Sequence, residues 1–322
     1  MEPFLWIPGQ GVDASALARL RAHFTRPSEA MGEAWLMGEH RQMFEALLGD
    51  LDRLPTSALQ EPLGEIASGT SSFGPRPEWD AWFHYLLGAL APRSHEAFVS
   101  YLLEYLVSGF MALHPSGAHR APYAGFRDDA LMTLGRCLMD AQCWHGSNIV
   151  VERVLHRAHG NWGDASGDLS ASMCFCLKYL PPSQVQPWLH SVLAIPSPHW
   201  RAQLMVWMVG AHDMLDGTVR WPSQWPEGAH PAVDWEWSHC LKPELAAAAG
   251  EGGDSVTNTL LPAEARAQAL QCLRAYFSPA VYADWLDAIR TVPALENALG
   301  DIPQVFLAVY VQGPGVQGTR DA

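Results

Sequence analysis

Trp79-Asp80-Ala81-Trp82-Phe83-His84-Tyr85-Leu86-Leu87-Gly88-Ala89-Leu90 decides the fold class. Its apolar residues Trp79, Trp82, Phe83, Leu86, Leu87 and Leu90 fall at offsets 0, 3, 4, 7, 8 and 11. Those offsets trace one stripe along an α-helix and fit no strand. The same spacing recurs in Phe98, Tyr101, Leu102, Tyr105 and Leu106, in Phe126, Ala130, Leu131, Leu134 and Leu138, and in Trp200, Leu204, Trp207, Met208, Ala211 and Leu215. Each helix therefore presents one wide apolar face that needs a partner.

Start signals agree. Ser197-Pro198 and Ser278-Pro279 each put a capping hydroxyl before a proline at the first helical position, and further starts are expected near Asp13, Ser28, Pro77, Ser94, Ser183 and Pro262. Leu113-His114-Pro115 and Pro181-Pro182 stop two of the helices. The reading is all-α, with roughly a dozen helices joined by short connections. Strand text is nearly absent; Val305 to Val311 is its nearest approach and reads equally as a final helix. Ser68 to Pro77, His114 to Gly125 and the run through Ala249-Gly250-Glu251-Gly252-Gly253-Asp254 read as loops, and 313–322 as a disordered tail.

Prolines open helices at Pro77, Pro198 and Pro279, separated by 121 and 81 residues, near three and two multiples of a ~40-residue helical-hairpin unit. Glycine sits late in three apolar helices, in Leu87-Gly88-Ala89, Leu134-Gly135-Arg136 and Val209-Gly210-Ala211. Since glycine inside a helix costs about 1 kcal/mol against alanine, its recurrence points to helices in close approach. From Trp79 to Arg290 this text resembles HEAT-like α-solenoids. The resemblance implies stacked antiparallel hairpins and a binding surface, and brings no catalytic residue. The expected organisation is one helical-repeat domain over 1–312, with a soft division near 69–77.

The chain has 322 residues, 48% of them hydrophobic, and a charged fraction of only 17%, against roughly 25% in ordinary soluble chains. Its formal net charge is -14 and no Lys/Arg run occurs, so nucleic acid and anionic membrane are poor partners and a basic protein is a better one. No apolar run approaches the ~20 residues that span a bilayer. The start, Met-Glu-Pro-Phe-Leu-Trp-Ile-Pro, lacks the basic and apolar regions of a signal peptide. Six scattered cysteines suit a reduced compartment. A cytoplasmic and, from the arginine-over-lysine skew, bacterial protein is expected.

The largest break in the helical pattern is Trp221-Pro-Ser-Gln-Trp225-Pro-Glu-Gly-Ala-His230-Pro-Ala-Val-Asp234-Trp235-Glu236-Trp237-Ser-His239. Tryptophan is the side chain most enriched at binding hot spots and proline forbids helix, so this segment is either a lid packed on the body or a contact surface. In the second case the binding residues are Trp221, Trp225, Asp234, Trp235, Glu236 and Trp237.

Enzymatic readings are weaker. An adjacent His212-Asp213 invites a metal-dependent phosphohydrolase of the HD type, with His239, His190, His199, His230 or Asp284 completing the ligands. Dipeptides of this kind arise by chance in a chain this rich in His and Asp. Glu152, His156 and His159 share a helix face, yet alternate with Arg153 and Arg157 as a solvated ion-paired face would. Cys174 with Cys176, and Cys143 with His145, lack the gap of structural zinc ligands. Glu236-x-x-His239 has no second copy to build a di-iron site. Nucleotide-binding, lipase-like and zincin motifs are absent. The expected function is non-enzymatic binding of a basic protein by an acidic immunity-type inhibitor or adaptor that needs no cofactor or metal.

Overall fold

The computed structural model describes residues 3–31, 44–95, 101–117, 121–155, 162–248 and 259–312. The helices in chain order are α1 (Ala14–His23), α2 (Thr56–Phe73), α3 (Pro77–Leu90), α4 (Leu102–Leu113) and α5 (Phe126–Met132). After them come α6 (Val151–Val154), α7 (Gly167–Tyr179), α8 (Pro182–Leu193), α9 (Pro198–Gly210) and α10 (His212–Asp216). The last five are α11 (Pro243–Ala248), α12 (Ala263–Tyr276), α13 (Pro279–Arg290), α14 (Pro293–Leu299) and α15 (Ile302–Phe306). The fold is all-α. The sheet among the described residues is one antiparallel hairpin, in which Trp144 faces Ile149 and His145 faces Asn148 across a turn with Gly146 at φ 62°.

The capping signals place most helices. Asp13 accepts the Ala16 N–H at 2.7 Å to open α1, and the Ser278 hydroxyl accepts the Val281 N–H at 3.3 Å to open α13. Ser197 precedes α9 as expected, but its hydroxyl accepts from the Ile149 N–H instead and ties the hairpin to that helix. Two expectations need correction, and one open alternative is resolved. Residues 68–73 are not loop: α2 runs on to Phe73, because Gly69 lets the Trp79 ring lie against the helix. Val305 to Val311 is helical, entering a π-helical turn at Leu307–Val311 that buries Tyr310. No helix starts at Ser28 among the described residues, and α4 starts at Leu102 rather than at Ser94. The glycine-rich run at 249–254 and the tail at 313–322 lie outside the described residues.

The predicted stripes are buried: Trp79, Trp82, Phe83, Leu86, Leu87 and Leu90 of α3, and Trp200, Leu204, Trp207 and Met208 of α9. The centre of the molecule is α7, in which every residue from Asp168 to Tyr179 is buried. A helix covered on all sides belongs to the core, and the small side chains of Ser170, Ala171, Ser172, Cys174 and Cys176 let its neighbours close in. Those neighbours include α4, α5, α9, α12 and the 3₁₀ segment Leu134–Met139. Outside them, α2 packs on α4, α8 on α12, and α13 and α15 on α9.

Several of these contacts join distant parts of the chain. The N-terminal segment crosses to α8, where the Phe4 N–H donates to Gln184 Oε1 and the Trp6 N–H to Ser191 Oγ. The Trp6 ring lies between Trp188 and Trp200, with its Nε1–H on the Gly135 carbonyl at 2.8 Å. Contacts of this range gather the helices around α7.

Gly109 of α4 permits one of the tightest approaches, since a Cβ there would stand 2.7 Å from the Phe83 ring. Gly109→Ala raises helix propensity by about 1 kcal/mol yet overpacks this contact, so a net loss of about 1–3 kcal/mol is expected in urea unfolding. A stabilised variant would show that α3 and α4 are not packed this closely.

Candidate binding site in the tryptophan loop

The segment between α10 and α11 is held to the body at every few residues. Gly217, at φ 93°, ends α10, and the Val219 N–H returns to the Asp213 carbonyl at 2.8 Å. Gln224 Oε1 accepts from the N–H groups of Arg220 and Trp221, which fixes the short 3₁₀ turn Pro222–Gln224. The Ser223 N–H reaches the Leu241 carbonyl and draws the two ends of the loop together. In the middle, the Ala232 N–H donates to Asp164 Oδ1 at 2.8 Å while the Ala165 N–H donates to the Ala232 carbonyl, and His230 lies 3.1 Å from the same carboxylate. The His230–Pro231 peptide is cis.

The firmest attachment is to α4. The Glu236 N–H donates to Glu104 Oε2 at 2.7 Å, Ser108 Oγ donates to the Glu236 carbonyl at 2.6 Å, and Trp235 Nε1–H donates to Ser108 Oγ at 2.9 Å. Glu104 and Ser108 are one helical turn apart, so both face the loop. Three glycines make room. A side chain on Gly210 would strike Val233 and Pro231, one on Gly64 would press on the Trp237 indole, and one on Gly167 would enter the Glu104 carboxyl. Trp237 takes a left-handed backbone at φ 61°, a conformation that a bulky residue holds only when its surroundings impose it.

These tethers sort the four tryptophans. Trp221 and Trp235 are buried at 1% and 4% exposure and serve the packing of the loop on the body. Trp225 and Trp237 are half-buried. Trp225 meets Trp235 edge to face at 5.8 Å, and Trp237 lies between Tyr105 and His239. The loop is thus a packed cap in its buried part and a surface in the remainder. Between the two faces it encloses a cavity of about 390 Å³ walled by Trp225, Pro226, Pro231, Val233 and Trp235. The exposed residues Glu227, Asp234 and His239 stand on its lining.

Beneath the loop lie two carboxyls that sequence reasoning missed, Glu104 and Asp168, at 5% and 3% exposure. Burial pushes the Glu104 carboxyl up to about 8, against the pull of the Glu236 N–H, with the Glu236 and Asp234 carboxylates adding to the rise. Asp168, in the first turn of α7, is also raised, first by burial and then by Glu104. No cation pairs with either among the described residues. Burial and mutual repulsion thus both favour the protonated form of the pair over two buried charges. A lone glutamate in the apolar text Leu102-Leu103-Glu104-Tyr105-Leu106-Val107-Ser108, with a hydroxyl four residues on, was the available signal.

The other candidates are dispersed. His212 uses Nδ1 on the Tyr310 hydroxyl at 3.2 Å and lies 4.0 Å from Asp216, while the Asp213 side chain is exposed at the helix end. His239 is in the loop beside Trp237, His199 lies at a tilt against Trp162, His190 is near Tyr276, His230 pairs with Asp164, and Asp284 pairs with Arg201. Among the described residues no three His, Cys, Asp or Glu side chains are gathered to hold a metal ion. Cys143, Cys174 and Cys176 are buried, and burial pushes the Cys174 thiol up to about 12, whereas His145 is exposed. The Glu152 side chain, His156 and His159 lie outside the described residues.

Because the folded state holds the Glu104 proton up to about pH 8 and an ordinary carboxyl releases it near 4.5, its contribution to stability is complete at low pH. That contribution is lost as pH rises between those values, by up to about 1.4 kcal/mol per pH unit. Thermal unfolding midpoints are expected to fall from pH 5 to pH 8, and Glu104→Gln, which mimics the protonated form, is expected to lessen the slope. An unchanged slope would show that Glu104 is ionised in the fold. No protein-family model, curated protein or solved structure matches the chain significantly.

Proposed function

We propose that this chain is a non-enzymatic binding protein that seats a basic segment of another protein in the cup of the tryptophan loop. The cavity walled by Trp225 and Trp235 and rimmed by Glu227 and Asp234 is the observation that carries this reading. A guanidinium or ammonium group gains about 0.5–2 kcal/mol over an indole face, more as water is excluded, and a carboxylate at the rim fixes its orientation. The supporting walls are already in place, tied to α4, α9 and Asp164, so little ordering is needed on association.

The net charge of -14 favours the same class of partner, since a broad negative field speeds encounter with a basic one. An inhibitor of immunity type that masks a basic toxin or effector and an adaptor inside a larger complex both use such a surface. In either role Trp225, Glu227 and Asp234 make the contacts, with Trp235 forming the wall of the cup and Trp221 holding the loop in shape. The cytoplasm of a bacterium remains the setting this reading assumes. No helix among the described residues is long and apolar enough to cross a membrane.

Tryptophan fluorescence titrations of the full chain with short peptides centred on arginine or lysine test the proposal. Saturable binding that weakens with salt is expected, lowered about tenfold or more by Asp234→Asn or Trp225→Ala, because each removes one charge-assisted or cation–π contact. Equal binding of acidic and neutral peptides, or basic-peptide binding unaffected by both substitutions, would refute it.

A further inference from the structure

At the opposite end of α7 from the carboxyl pair, Lys178 is buried at 7% exposure. It is one of only two lysines in the chain, with Lys242. Its amine donates to the backbone carbonyls of Pro115 and, at 2.8 Å, of Leu260, which hold it from two sides. No carboxylate pairs with it among the described residues, and Lys178 lines a cavity of about 480 Å³ formed by 116–117, 121–128 and 178–182. Among the described residues the other charged groups on that cavity are Arg127 and Asp128, which pair with each other at 3.4 Å and are exposed. The Tyr179 ring lies 5.6 Å from the amine, with its hydroxyl donated to the His114 carbonyl, and the Tyr123 hydroxyl is donated to Asp129. The Ser116 hydroxyl on the same wall is buried and has no hydrogen-bond partner among the described residues.

An ammonium buried without a counter-ion is costly, and an amine can escape that cost by giving up its proton. The neutral form keeps two N–H groups, which match the two carbonyls, and leaves one lone pair. From this placement we propose that Lys178 is a nucleophilic amine that condenses with the aldehyde or keto group of a small ligand in this cavity. The Nζ lone pair attacks the carbonyl carbon, the two protons shed by nitrogen leave with the carbonyl oxygen as water, and a neutral imine remains. The step needs no oxidant or reductant, and hydrolysis reverses it. Burial alone lowers the amine, to about 7, which leaves a large neutral fraction at neutral pH. The proposal is independent of the tryptophan cup at the other end of α7.

The folded full chain, treated with butyraldehyde and cyanoborohydride and mapped by peptide mass spectrometry, tests it, with Lys242 as the internal reference. Lys178 is expected to be alkylated at least about tenfold faster than Lys242 at pH 7, with a rate that rises through a midpoint near 7. Lys178→Met, checked for folding by circular dichroism, removes that labelling and leaves Lys242 unchanged. Protection of Lys178 in the folded chain, labelling of it only in urea, or a midpoint in the ordinary lysine range would overturn the proposal and assign the amine a purely structural bond to its two carbonyls.

Discussion

A single helix buried on every face, α7, sets the terms for the remainder of the molecule. Covering it takes partners on all sides, so α4, α5, α9 and α12 must come together from distant parts of the chain, and the N-terminal segment with Trp6 is drawn in to close the gap beside α8. The helix accepts so many neighbours because its middle turns include Ser170, Ala171, Ser172, Cys174 and Cys176, whose small side chains let backbones approach. Its two ends cannot be covered so simply. Each carries one ionisable side chain, Asp168 in the first turn and Lys178 in the last.

At each end burial favours the neutral form of the side chain. At the first, burial pushes the Asp168 and Glu104 carboxyls up, toward the neutral form, beneath the point where the tryptophan loop docks its Glu236 N–H and Trp235 indole on α4. At the second, the Lys178 amine is pulled down and is held by carbonyls. The loop then does two things at once. Its inner tryptophans close the core, and its outer surface gathers Trp225, Asp234 and Glu227 around a hollow. The stability of the first supports the shape of the second, which links the buried carboxyls to the binding proposal through packing rather than through contact with a partner.

Much of the fold was legible because it rests on periodicity and capping. The stripe in Trp79 to Leu90, the proline starts of α9 and α13 and the all-α character follow from local rules that the tertiary structure did not override. What escaped was non-local. Ser68 to Phe73 looked like loop text until Trp79 packed on Gly69, and the glycine at Gly210 marked contact with the loop at Val233 instead of with a neighbouring repeat. The site was half legible. The tryptophans and acids of 221–239 stood out by composition, but their division into buried and outward members depends on Glu104, Ser108 and Asp164, residues 68 to 132 positions away along the chain. Nothing in the local sequence of the loop names those partners.

The central claim is that the tryptophan loop is a preformed cup locked to α4. Hydrogen exchange of the free protein, resolved to peptides across 217–241, reads this directly, because an amide bonded to a buried carboxyl opens only when the loop leaves the helix. Protection of the Trp235 to Ser238 amides approaching that of α4 is the predicted result. Exchange of that segment as fast as an open surface loop would contradict it, and with it the rigid cup on which the binding reading stands.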